Sequence, residues 1–158
     1  MKKKLKSVCF AAMLVMGLTI TAEFPTNANE SKPMLDGSYL TCEDESTGIA
    51  GSLTRGVDLQ TGYSKLRELG PGKIYAGGTT IAQHDVESVK VSVIVERAKD
   101  ADDYWHYVDS WQKENKNTYT VSTSKMLEVE PDWYYRVRCI HSAGNDMSSS
   151  STNGLYID

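Results

Sequence analysis

Phenylalanine is nearly missing from this chain. There are two, Phe10 and Phe24, against nine tyrosines and three tryptophans. Both lie in the first 28 residues, so beyond them every aromatic has a polar tip that wants a hydrogen-bond partner or water. Such side chains suit rims and binding faces as well as cores. Long apolar runs are equally scarce. Only Val8–Ala22 qualifies, broken by Gly17, Thr19 and Thr21, and it is short for a span of about 20 residues. No stretch beyond it has the 3.6-residue period of a long amphipathic helix. Excess positive charge is missing too. Residues 1–28 contain four lysines and one acid, so without them the formal charge moves from −4 to −7. An acidic domain is poorly suited to phosphate contacts with nucleic acid or to an anionic membrane surface.

What is present begins with export. Lys2, Lys3, Lys4 and Lys6, then the apolar run, then small residues, have the layout of a secretory signal peptide. Cleavage after Ala22 and after Ala28 both fit, and Ala28 is preferred because Phe24-Pro25 reads as the exit from the apolar segment. Three parts follow: a signal peptide over 1–28, a flexible acidic lead-in over 29–50, and one domain over 51–158. The expectation is a protein released outside the cell or held at the envelope, with no membrane insertion once the signal is removed.

The two remaining cysteines, Cys42 and Cys139, leave two readings open. An exported protein favours a disulfide. Yet Cys139 lies on the apolar face of a strand pattern while Cys42 sits in the acidic run Thr41–Glu45, which fits a buried thiol and an unrelated exposed one.

From residue 51 the pattern is β. Leu53–Leu59 and Tyr63–Leu69 read as early strands, and Gly70-Pro71-Gly72 as a turn. Lys73–His84 reads as a strand interrupted at Gly77-Gly78, a pair that signals either a bulge or a close backbone approach. Val89, Val91, Val93 and Val95 alternate with Lys90, Ser92, Ile94 and Glu96, the period-two signature of a half-buried strand. An acidic turn at Lys99–Asp103, a strand over Tyr104–Trp111, a turn at Glu114–Asn117 and a strand over Thr118–Thr123 come next. Trp133–His141 and Leu155–Ile157 complete the set. About seven short strands at this spacing predict an all-β, antiparallel, two-sheet β-sandwich.

Val129-x-Pro131-x-x-x-Tyr135-x-Val137 resembles the corner and sixth strand of fibronectin type III domains, an immunoglobulin-like fold. In that family the tyrosine hydroxyl bonds back to the corner backbone. The early-strand tryptophan of the family has no counterpart here. More widely, Leu53-Thr54-Arg55-Gly56, Gly78-Thr79-Thr80, the valine strand, Tyr134–Val137 and His141-Ser142-Ala143 are similar to a family of small exported proteins of Gram-positive bacteria. That resemblance implies a single exported domain and no particular activity.

No catalytic constellation emerges. Ser122-Thr123-Ser124-Lys125 has the spacing of a serine–lysine pair, which requires a helix start, but it ends a strand. Cys139 and His141 share a strand face, but an apolar one, where a thiol is inert. Asp100, Asp102 and Asp103 lack the glycine and terminal glutamate of a calcium loop. The expectation is therefore no catalytic residue, no metal and no cofactor.

The strongest feature is Tyr104-Trp105-His106-Tyr107-x-x-x-Trp111. Strict alternation puts Trp105, Tyr107, Asp109 and Trp111 on one face and Tyr104, His106 and Val108 on the other. The Val108 face is assigned inward. On the Trp133 strand, Tyr135, Val137 and Cys139 point in, while Tyr134, Arg136 and Arg138 point out. Trp105, Tyr107, Trp111, Tyr134, Arg136 and Arg138 then form one outer face of interleaved aromatics and arginines. It serves as a structural cation–π ladder or as a binding surface. The functional expectation is a monomeric, non-enzymatic binding module whose partner is a glycan or a surface protein. A carbohydrate-binding module and a small exported hydrolase are the alternatives.

Overall fold

The computed structural model describes residues 37–50, 56–101 and 103–158. The expected signal peptide, residues 29–36 of the lead-in, Leu53–Arg55 and Asp102 lie outside the described residues. Eight strands are described: β1 Leu40–Thr41, β2 Glu45–Ile49, β3 Leu59–Gly70, β4 Lys73–Ala98, β5 His106–Glu128, β6 Trp133–Ala143, β7 Asp146–Ser151 and β8 Gly154–Ile157. They form one curled mixed sheet in the order β1-β8-β6-β4-β3-β2, with β5 also on β4 and β7 also on β6. The β1–β8 pair is parallel and the other pairs are antiparallel. Residues 37–50, within the expected lead-in, supply β1 and β2, and both pair within this sheet.

The curl comes from the long β4–β5 hairpin. The first part of β4 (Lys73–Ala82) pairs with β3 and with the end of β5. The second part (Val86–Ala98) pairs with the start of β5 and with β6. Between Ile81 and Val86 the register slips, and β5 carries Asn117 at φ 51° next to Thr118, the partner of Val86. An irregularity of this kind bends a strand and raises its twist. The sequence places the irregularities elsewhere. Gly77-Gly78 does not interrupt β4, and Glu114–Asn117 is not a turn but part of β5, paired to β4 at Ser88–Lys90.

The bend turns the concave faces of the two parts toward each other. Val89, Val91, Val93 and Val95 are fully buried, as their alternation requires, and so are Tyr135, Val137 and Cys139. They join Leu66, Ile74, Ala76, Leu155 and Ile157 in one core. The approach is close enough that a Cβ at Gly78 would sit 2.6 Å from Cys139 Sγ and 2.9 Å from Val91 Cγ2. That glycine is required by proximity. Tyr135 ties down the corner before β6 by donating its hydroxyl to Glu130 O at 2.8 Å, with Asp132 at φ 64° in between. Cys139 is buried and Cys42 exposed, and no disulfide joins them among the described residues. The disulfide alternative therefore gives way to the buried thiol, because Cys139 faces the core and its Sγ–H points at Gly77 O, 3.7 Å away.

Candidate functional site

Partners in an antiparallel ladder share a face, so register assigns the surface. Glu96 is flanked by Tyr107 on β5 and Arg136 on β6. Ile94 is flanked by Ser110 and Arg138, and Ser92 by Gln112 and Ile140. These three rows form the outer face of β5–β4–β6. Trp111 is not on it. Trp111 pairs with Val93 and packs, half-buried, against the core. The cause is a bulge. Val95 pairs with Asp109 but Glu96 pairs with Tyr107, which leaves Val108 as an extra residue in β5. One extra residue reverses the alternation, so Tyr107 and Trp111 fall on opposite faces. The inward assignment of Tyr104 and His106 also fails. Both are exposed, Tyr104 to 86%, while the bulged Val108 does pack against the core.

The other five predicted residues lie on the outer side, with Arg136 at the centre. Its Nε donates to Glu96 Oε2 at 2.8 Å and its Nη1 to the Gly37 carbonyl at 2.9 Å. Its guanidinium carbon lies 4.1 Å from the Trp105 ring centroid. Trp105 in turn lies over Gly154, where a Cβ would meet its ring at 2.9 Å. Arg138 Nη2 donates to the second Glu96 oxygen at 3.0 Å. Glu96 is only 8% exposed, so one nearly buried carboxylate holds two arginines and the trio has a net charge of +1. The sequence reading missed Glu96. Its signal was present, as the one acid among the outward residues of the valine strand. Tyr134 meets Tyr156 edge-on at 5.2 Å, and Tyr156 donates to Asp132 Oδ1 at 3.0 Å.

All three tryptophans have a cation over the ring. Lys125 covers Trp111 at 4.5 Å while bonding Asp109 at 2.9 Å. Arg97 and Lys99 stand 4.3 and 4.2 Å from Trp133. The accessible part of the outer face includes Tyr107 and Arg138 beside Ser110, Gln112 and Ile140. Tyr107 is 66% exposed, and the Arg138 side chain 45%. An open depression of about 370 Å³ lies over the β4–β5 pair, lined by Ser92, Val93, Ile94, Ser110, Trp111 and Gln112. The Tyr107 hydroxyl reaches its edge, 3.1 Å from Ser110 Oγ.

The chemical motifs fall apart on inspection of their faces. Ser122 pairs with outward Thr79, whereas Lys125 pairs with fully buried Ala76, so the two project from opposite sides of β5. Asp103 of the acidic turn accepts from the Lys99 N–H at 2.9 Å and approaches His106 at 3.4 Å; these bonds hold its carboxyl below the usual range. Burial pushes the Cys139 thiol up to about 12 and the His141 imidazole down to about 4. Neither is poised for nucleophilic chemistry at neutral pH. Compared with family models, curated proteins and solved structures, the chain matches none.

Proposed function

We propose that this chain is an exported β-sandwich module of fibronectin type III-like design that binds a partner without catalysing a reaction. Its binding surface is the outer face of β4, β5 and β6. Export rests on the basic and apolar start of the chain. The sandwich reading is supported by the curl that folds the two parts of the sheet over one core, and by the Tyr135 hydroxyl bonded to Glu130 O.

The observation that carries the binding reading is the depression beside Tyr107 and Arg138. Ser92, Ser110 and Gln112 line it with hydroxyl and amide groups. On the same outer face Tyr107 adds a ring at its edge and Arg138, across β4 from it, a half-exposed cation bonded to Glu96. Tyrosine and arginine are the side chains that dominate binding hot spots. Trp105 and Arg136 stand beside the depression on the same outer side, stacked on each other, with Arg136 held by Glu96. A glycan fits the chemistry of the depression, and a surface protein is the other partner class.

The test targets the two exposed side chains. Tyr107→Ala and Arg138→Ala are titrated by calorimetry against purified wall polysaccharides and mucin glycans, beside the unmodified protein. Saturable binding that both variants lose at unchanged stability supports the glycan reading. If no glycan binds the folded protein, the next assay is capture of envelope proteins. Retention of envelope partners by both variants sinks the site.

A further inference from the structure

Between β2–β3 and β6–β7 the interior is polar, in contrast to the valine core beside it. The buried residues here are Ser46 and Gly48 on β2, Gly62 and Ser64 on β3, Thr80 on β4, His141 on β6 and Ser150 on β7, with Thr152 just beyond. Small and hydroxylic side chains bury little apolar area, so this seam is held by directed bonds. The Asn153 N–H donates to Ser46 Oγ at 2.9 Å. Asp146 Oδ2 accepts from the N–H groups of Asp58 and Leu59 at 2.6 and 3.0 Å. Among the described residues, Ser64 Oγ and Asn153 Oδ1 are buried there with no partner.

His141 sits at the middle of the seam, fully buried. Its ring lies flat against β3, since a Cβ at Gly62 would overlap it. The Thr80 hydroxyl donates to Lys90 O at 2.8 Å, so its oxygen accepts from His141 Nδ1–H at 2.9 Å. Nε2 is then the bare nitrogen, and it accepts from the Ser150 hydroxyl at 2.8 Å. The neutral Nδ1–H tautomer thus satisfies every one of these bonds across β4, β6 and β7, with β3 packed on the ring at Gly62. A second proton on Nε2 would point at the hydroxyl that now donates to it and would place a full charge in the seam.

Nothing in the described surroundings offsets that charge. β3 presents the Gly62 backbone, and β4 presents Thr80, Val91 and the Lys90 carbonyl. β7 presents Ser150 and the register partner Ser148. β6 itself adds Cys139, whose thiol burial keeps neutral. The seam's acids, Asp58 and Asp146, are engaged at its end. Asp146 is bonded to backbone and Asp58 stands 3.3 Å from His84.

We propose that His141 is an acid-sensitive latch, whose protonation releases β2–β3 from β6–β7 while the valine core stays closed. The direction follows from linkage. Burial lowers the closed-state value from 6.5 to about 4, so the open state binds the proton more readily between those limits. The closed state is fully favoured above about pH 7 and loses ground as pH falls from about 6.5 to 4. Asp146 acts below this window, because its two backbone N–H partners hold its carboxyl under the usual range.

The test is amide hydrogen exchange on the purified protein at pH 7 and pH 5, corrected for intrinsic rates. Opening of β2, β3 and β7 should rise about 20-fold at pH 5, with the Val89–Val95 amides unchanged. His141→Gln should abolish the pH effect. If that variant does not fold, a ring-proton NMR titration of the unmodified protein decides, with a midpoint near 4 expected. Equal seam protection at both pH values overturns the latch. So do parallel opening of the valine core, a pH effect that survives His141→Gln, or a ring midpoint near 6.5.

Discussion

Replacing Arg136 with alanine removes three interactions at once: the bond to Glu96, the bond to the Gly37 carbonyl and the stack on Trp105. A hydrogen bond to a charged group contributes about 1.5–3 kcal/mol, and a cation–π contact about 0.5–2 kcal/mol. The larger effect is what remains. Glu96 is 8% exposed and would keep only Arg138, itself half in solvent. Breaking a buried ion pair from one side costs about 3–5 kcal/mol. Partial cover by Arg138 puts the expected loss near about 3 kcal/mol. Arg136→Lys keeps the charge but not the planar fork or the stack, so about 1–2 kcal/mol should go. Urea unfolding at pH 7, followed by tryptophan fluorescence, reads both losses from midpoints at a shared slope. The Glu96→Gln, Arg136→Ala pair should lose less than the two single losses added together, because the uncompensated carboxylate is gone. A loss under about 1 kcal/mol for Arg136→Ala, or strict additivity in the pair, would refute the account of the clamp.

Gly62→Ala should cost about 3 kcal/mol or more, because its Cβ has no room beside the His141 ring; tolerance within about 1 kcal/mol in urea melts would contradict the packing. Iodoacetamide at pH 8 should modify Cys42 and spare Cys139 in the folded protein. The buried thiol is pushed up to about 12 and stays protonated. Peptide mass spectrometry checks this, and protection of both cysteines that dithiothreitol reverses would restore the disulfide reading. Tyr135→Phe removes the hydroxyl that is bonded to Glu130 O and faces Arg97, and should cost about 1 kcal/mol in the same melts. No measurable change would deny the corner its role.

Period-two alternation was a sound guide wherever the ladder is regular. It placed the four valines and Tyr135, Val137 and Cys139 inside, where each is fully buried. It failed at Trp111 because a single bulged residue, Val108, reverses the face, and a bulge leaves no mark in a chain that still alternates. It failed at Glu114–Asn117 for a different reason. A charged run looks like a turn, yet an edge strand tolerates charge when its partner supplies the ladder. Here Lys113 Nζ and Asn115 Nδ2 reach the carbonyls of Ser122 and Thr120 on the returning part of β5, at 3.2 and 3.0 Å. Five of the six candidate site residues do lie on one outer side, but Glu96, which binds two of them, came to light only with the register.

The sequence by itself determined the all-β character and the inward residues of each regular strand, and left the Cys42–Cys139 pairing open. Those depend on local alternation and on chemistry within a few residues. Tertiary structure decided what lies against what. Arg136 meets Gly37 from 99 positions away, and Thr80 meets His141 from 61. A bend in β4 and one extra residue in β5 bring these groups together or apart. Such effects arise from pairing between distant strands, and no local pattern encodes them.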